Sequence, residues 1–367
     1  MEQSNQAPCQ VKVSGTVVIN NTKSYDYLRT KTSIIPMRNL YFLLPGTTSP
    51  FGGGGLWAEM KTVNLASQIC SAQIVTYRQK ELNYLFLEDI LAKISSDDSI
   101  FLVSWGFDVP KLVTKLRSHN IIYHAHSTGY GFRLPPGIPI ITVSRNTMGY
   151  WGEKAPNALI YYLPNQIGSE FLNLGLERDI DVLVQGRKSS KYLLNRLVPA
   201  LRTHCRVKVL DGYVEDLVGL FNRSRVYLYD SAEYWAVNGL TEGFGLPPLE
   251  ALACGCTVFS SVNSALADYL DPGFNCQKIG AYSTQYDLER ILNYARNFPV
   301  NSLPANFIDD YHPEKLLPRF ETILREINDF FDIKKRYPAD IEGLEPLRLK
   351  KLWMQSSLAK LKKKLFK

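Results

Sequence analysis

From residue 39 onward the chain alternates between short apolar runs of strand length and longer stretches whose apolar residues recur at helical spacing. "NLYFLLPG" (39–46) is a continuous apolar run closed by Pro and Gly, and "QICSAQIVTY", "SIFLVSW", "NIIYHAH" and "IPIITVS" repeat the theme. Between them, "LWAEMKTVNLASQI" and "VPKLVTKLRSH" have the period of helices. A strand with no polar face must be covered on both sides, so this alternation predicts a parallel sheet between two helical layers. A second series starts at "DIDVLVQG" (179–186) and continues through "KYLLNRLVPALR", "CRVKVLDG", "VEDLVGLFNRS", "RVYLYDS" and "GCTVFSS". The expected fold is α/β, with two Rossmann-like, doubly wound domains at 39–164 and 179–312 and a linker at 165–178. Residues 1–38, rich in Ser, Asn and Thr, read as an N-terminal arm or extra hairpin. A long helix is expected within 313–340, bent by Pro318, and a basic amphipathic tail over 341–367.

Composition narrows this picture. The 367 residues suit two domains of roughly 150 residues each. No run of about eighteen apolar residues occurs, and "MEQSNQAPCQVKVSG" lacks the basic start and apolar centre of a signal peptide, so a cytoplasmic location is expected. The six cysteines form no CxxC pair and read as reduced thiols. The net charge is +7, but the last 22 residues carry eight cations and no acid; subtracting those eight leaves the rest at about −1. A body-wide nucleic-acid surface is therefore not expected.

Four stretches carry candidate chemistry. In "FLLPGTTSPFGGGGLWAEM" a strand leads through Gly52, Gly53, Gly54 and Gly55 into a helix, so backbone N–H groups can meet an anionic or hydroxyl-rich ligand. The stretch ends in neither Gly-Lys-Ser/Thr nor the dinucleotide spacing. In "IIYHAHSTGYGF", His124 and His126 share one strand face, but no Cys or carboxylate nearby in sequence completes a metal set; His126 is instead expected to face the crevice. In "VLVQGRKSSKYLL", Arg187, Lys188 and Lys191 crowd a helix N-terminus, an arrangement that suits a bound diphosphate. In "TEGFGLPPLEALACG", prolines suit a first helical turn, with Glu242 before the helix and Glu250 inside it. The N–H groups of the Gly-Phe-Gly-Leu segment are then open to sugar or phosphate oxygens, and the two carboxylates to hydroxyls.

"EGFGLPPLEALACG" closely resembles the signature of retaining GT-B glycosyltransferases of family four, the glycosyl transferases group 1 of bacterial polysaccharide biosynthesis. "VSRNTMGYWGEKAPNALIYYLPN", with Pro164-Asn165, and "FLLPGTTSPFGGGG" agree with that family in order, and the resemblance spans 39 to about 310. It implies a GT-B fold, two Rossmann-like domains facing across a cleft, with the 313–340 helix crossing back. It further implies that Glu250 binds ribose and that Glu242 lies against the donor sugar. Phe244, Gly245 and Leu246 would hold oxygens through their backbones, and Arg187 with Lys191 would neutralise the diphosphate in place of a metal. His126 would contact the donor sugar, and Gly53, Gly54 and Gly55 would border acceptor and donor phosphates. Three departures stand out: Arg187 and Lys191 are closer than usual, so Lys188 competes for the role; "VNSALAD" (262–268) replaces a Gly-Gly pair; and "DSAEYWAVNGLT" lengthens the link to Glu242. Asp179-Ile180-Asp181 looks like the DxD metal motif of another glycosyltransferase architecture, but it opens a strand and is read as a decoy.

The resemblance implies a hexosyltransferase that needs no metal or other cofactor. It would move a hexose, glucose being the guess, from a UDP-sugar to a saccharide or lipid-linked acceptor. The rival readings are a nucleotide-sugar-binding scaffold and a GT-B epimerase. The tail places Leu347, Met354, Leu358, Leu361 and Leu365 on one helical face among lysines, which suits either peripheral membrane contact through 346–367 or packing back on the protein.

Overall fold

The protein is described from a computed structural model covering residues 37–212, 214–298, 304 and 306–365. The expected arm or hairpin over 1–38 lies outside the described residues apart from Met37 and Arg38.

The first sheet contains β1 (Asn39–Leu44), β2 (Ala72–Thr76), β3 (Leu85–Phe86), β4 (Ser99–Val103), β5 (Asn120–Ala125), β6 (Ile140–Thr142) and β7 (Ile160–Tyr162). Their order is β3-β2-β1-β4-β5-β6-β7, and every pairing is parallel. Central β4, SIFLV, is buried at all five positions, which is why its sequence shows no polar alternation. The second sheet contains β8 (Ile180–Gln185), β9 (Val207–Leu210), β10 (Ser224–Tyr229), β11 (Thr257–Ser260) and β12 (Cys276–Lys278) in the order β12-β11-β10-β8-β9, again parallel throughout. Both sheets reverse their winding, between β1 and β4 and between β8 and β10. Such switch points open a crevice at the carboxyl ends of the strands.

Two helices reach that crevice, α1 (Gly54–Ala66) after β1 and α2 (Leu246–Ala253) before β11. A third, α3 (Pro313–Arg336), follows the second domain in sequence but packs on the first sheet. Its Leu316, Phe320, Leu324 and Phe331 are buried against Leu40, Phe42 and Leu102, at about 1.5–3 kcal/mol per side chain. Arg38 adds hydrogen bonds from its backbone N–H and its guanidinium to Asn328, at 3.2 and 3.1 Å. Pro318 falls in the second turn of α3, which continues as one helix through it. The linker is irregular, yet Ile167 and Phe171 within it are buried in the second domain's core.

The final helix, α4 (Pro346–Leu365), leaves Leu347, Leu349, Leu352, Trp353, Met354, Leu358 and Leu361 exposed. Packing back on the protein is thereby corrected: the helix buries none of these side chains. Among the described residues no helix is long and apolar enough to cross a membrane.

Candidate active site

The carboxyl ends of β5, β8 and β10 and the N-terminal ends of α1 and α2 enclose a cavity of about 330 Å³. Gly54, Gly55, His126, Arg187, Lys188, Glu242, Phe244, Gly245 and Leu246 line it, together with Asn165 of the Pro-Asn segment. Three expected site residues are not in that lining. Gly53 caps α1, Lys191 is exposed with its N–H 3.4 Å from Glu233, and Glu250 is buried in α2.

Lys188, not Lys191, reaches the cavity because its backbone is left-handed (φ 62), a conformation rare for a residue with a side chain. Its ammonium lies 4.6 Å from the centre of the Trp235 ring. Desolvation lowers its pKa and Glu242 opposes the shift.

Glu242 is held by neutral donors. One of its carboxylate oxygens accepts from the Tyr229 hydroxyl (2.6 Å), the Trp235 indole N–H (2.8 Å) and the Ser231 hydroxyl (3.0 Å). Ser231 and Trp235 belong to the lengthened link, whose helix Ala232–Val237 therefore builds the Glu242 pocket. No motif announced Trp235 or Tyr229. The missing Gly-Gly pair has a similar resolution: Val262 and Ser264 adopt left-handed φ values of 47° and 53° despite their side chains.

Helix α2 begins after Gly245, whose φ of 79° favours glycine. Among the described residues the N–H groups of Gly243, Phe244 and Gly245 donate to no protein acceptor, which leaves them available at the cavity wall. Gly243 itself cannot carry a side chain, since a Cβ there would stand 1.5 Å from the His126 carbonyl oxygen. The two domains meet here. Ser127 donates to the Thr241 carbonyl at 2.7 Å, and the Thr128 and Thr241 hydroxyls are 2.8 Å apart.

Folding brings the histidine pair a carboxylate that is distant in sequence. Glu59, on the inner face of α1, places one oxygen 2.7 Å from both His124 Nδ1 and His126 Nε2. It lies 65 residues before His124, so sequence spacing gave no sign of it. Burial alone would raise the Glu59 carboxyl, but the charge and hydrogen bonds of His124, then those of His126, bring it down to about 2. Burial and His124 lower the His126 imidazole against the pull of Glu59. The three side chains have ligand atoms within 4.8 Å of one another, a donor set able to hold a cation; as placed they form a hydrogen-bonded triad.

Glu250 has the opposite environment. Among the described residues no donor reaches its buried carboxyl, and burial pushes that group up to about 7, with Lys61 opposing and Glu170 adding to the shift. Asp179 and Asp181 sit at the amino end of β8, away from the cavity, paired with Arg223 and with Arg206 and Arg225.

Residues 170–297 match the family model described as glycosyl transferases group 1. The chain carries a group 1 glycosyltransferase domain. The whole architecture is shared with solved GT-B glycosyltransferases. A sucrose-phosphate synthase from Thermosynechococcus elongatus is 13% identical with a TM-score of 0.57, covering 79% of this chain and 99% of that one. A glycosyltransferase from Rickettsia africae gives 13%, 0.58, 79% and 98% for the same measures. HepE of Anabaena, solved in complex with UDP and glucose, gives 12%, 0.58, 79% and 99%. No curated protein matches the sequence. The fold is thus that of the GT-B glycosyltransferases, with the cavity where its two sheets present their strand ends.

Proposed function

We propose that this glycosyltransferase is a retaining hexosyltransferase that transfers a hexose, glucose being the first choice, from a UDP-sugar to a saccharide or lipid-linked acceptor in polysaccharide biosynthesis. The observation that carries the reading is the convergence in one cavity of free backbone N–H groups at 243–245, the cations Arg187 and Lys188, and the fixed carboxylate Glu242. The bond from the anomeric carbon to the diphosphate breaks as the acceptor oxygen bonds to that carbon on the same face, and the acceptor's hydroxyl proton passes to the departing diphosphate oxygen. Arg187 and Lys188 balance the charge that develops on the departing diphosphate, a task that asks for cations and no metal. Glu242 accepts from donor-sugar hydroxyls, His126 meets the sugar from the first domain, and Glu250 accepts from the ribose. Gly53, Gly54 and Gly55 have open space where side chains would stand, so a ligand can approach their backbone. UDP as the nucleotide is favoured by the UDP-bound state of HepE.

The test is nucleotide release from a panel of UDP- and GDP-sugars, with and without saccharide acceptors. UDP release from one donor, abolished by Glu242→Ala while UDP still binds, is the expected result. Full activity in that variant refutes the role of Glu242, and sugar-nucleotide binding without release would favour a scaffold.

A further inference from the structure

The basic tail is a candidate from the sequence that lies outside the cavity. Helix α4 carries Arg348, Lys350, Lys351, Lys360, Lys362, Lys363 and Lys364 and no acidic residue. Arg348 is engaged by Glu342, whereas none of the six lysines forms an ion pair among the described residues. Trp353 and Leu358 are 69% and 60% exposed, so the helix presents apolar surface and unpaired charge to the same surroundings. That combination is costly in water alone.

We propose that α4 docks on an anionic phospholipid surface, with Leu347, Met354, Leu358 and Leu361 in the acyl boundary and the flanking Lys350, Lys351 and Lys362 among the headgroup phosphates. Charge selects this occupant. A second copy of the helix would bring seven more cations against these seven, and a nucleic acid would leave the leucines and Trp353 in water. Leu347, Met354, Leu358 and Leu361 fall within one narrow arc, and Lys350, Lys351 and Lys362 flank it, positioned for their ammonium groups to reach the phosphates while their stems cover apolar surface. The segment leading into α4 is fastened to the first domain, through Arg133 to Glu345 at 2.8 Å and the Asn157 amide to the Glu342 carbonyl at 3.4 Å. Docking therefore brings the first domain to the bilayer. Only the use of that placement, delivery of a lipid-linked acceptor, rests on the proposed function.

The experiment is cosedimentation of the full chain with vesicles of phosphatidylcholine alone or mixed with phosphatidylglycerol. It is run at about 0.15 M and about 1 M salt, where the screening length drops from about 8 Å to about 3 Å. Binding is expected only to the phosphatidylglycerol vesicles and is expected to fade at high salt. Each lysine neutralised should weaken partitioning about five-fold, so Lys350→Gln with Lys351→Gln and Lys362→Gln should lose roughly a hundred-fold. Leu358→Ser with Leu361→Ser should also release the protein, and both variants should keep the donor turnover of the parent. Equal binding to both vesicle types, no binding, or unchanged binding in either variant overturns the proposal. So does binding to duplex DNA in the absence of vesicle binding, or self-association abolished by the leucine changes. The readout uses no turnover, so it fails or succeeds independently of the catalytic reading.

Discussion

Replacing Glu250 with Gln should make the protein more stable and a worse nucleotide binder. Burial raises the Glu250 carboxyl from its ordinary 4.5 to about 7, so ionising it in the folded state costs free energy that the unfolded chain does not pay. At roughly 1.4 kcal/mol per tenfold change in proton affinity, the ceiling is about 3 kcal/mol. The sign follows from linkage: the cost is absent below the unfolded value of 4.5, grows as pH rises, and is complete above about 7. Glutamine keeps the shape and removes the charge. Urea unfolding of parent and variant should therefore diverge at pH 8, the variant being more stable by up to about 3 kcal/mol, and converge near pH 4.5. In the proposed site the ionised carboxylate accepts from ribose hydroxyls, and hydrogen bonds to charged groups contribute about 1.5–3 kcal/mol each. Calorimetric UDP affinity should accordingly fall ten-fold or more in the variant, by about 1.4 kcal/mol per decade. In the parent it should strengthen as pH rises through about 7. A variant no more stable at pH 8 than at pH 4.5 refutes the burial cost, and unchanged UDP affinity refutes the ribose contact.

Glu59 should behave in the opposite way: its carboxyl is depressed to about 2, so its contribution is present above 4.5 and lost as pH falls toward 2. Glu59→Gln should cost about 3 kcal/mol at neutral pH in denaturant unfolding and flatten that part of the acid dependence. Lys188→Met should lower sugar transfer about a hundred-fold while Lys191→Met stays near the parent, in steady-state kinetics with the preferred donor; equal losses would contradict the placement of Lys188 in the cavity. Gly243→Ala drives a Cβ against main chain of the other domain and should destabilise by about 2 kcal/mol or more, whereas Gly53→Ala, with open space, should unfold within about 0.5 kcal/mol of the parent.

The central strands were legible because most of their positions are buried: β1, β4 and β5 announce themselves as largely apolar runs. The edges were not, since β3 is two residues long and β12 reads Cys-Gln-Lys, and an edge strand needs little apolar character to pair with one neighbour. The same division holds in the site. Phe244, Gly245 and Leu246 form a contiguous segment, so their sequence already shows their neighbourhood. Lys188 and Lys191 could not be ranked by spacing, because what turns Lys188 into the cavity is a left-handed φ that no residue count reveals. The three buried glutamates carry the point furthest. Glu59 meets the His124 and His126 imidazoles, 65 and 67 residues away, and is drawn down; Glu250 meets no donor among the described residues and is pushed up; Glu242 meets a phenol, an indole and a hydroxyl that fix its orientation. In the sequence they are the same residue. Their chemistry differs because packing assigns each its partners, and neither Glu59 on the inner face of α1 nor the lengthened link that gives Ser231 and Trp235 to Glu242 belongs to a motif. One of the three departures from the resembled family pattern, the lengthened link, is thus the segment that shapes the pocket of the Glu242 carboxylate.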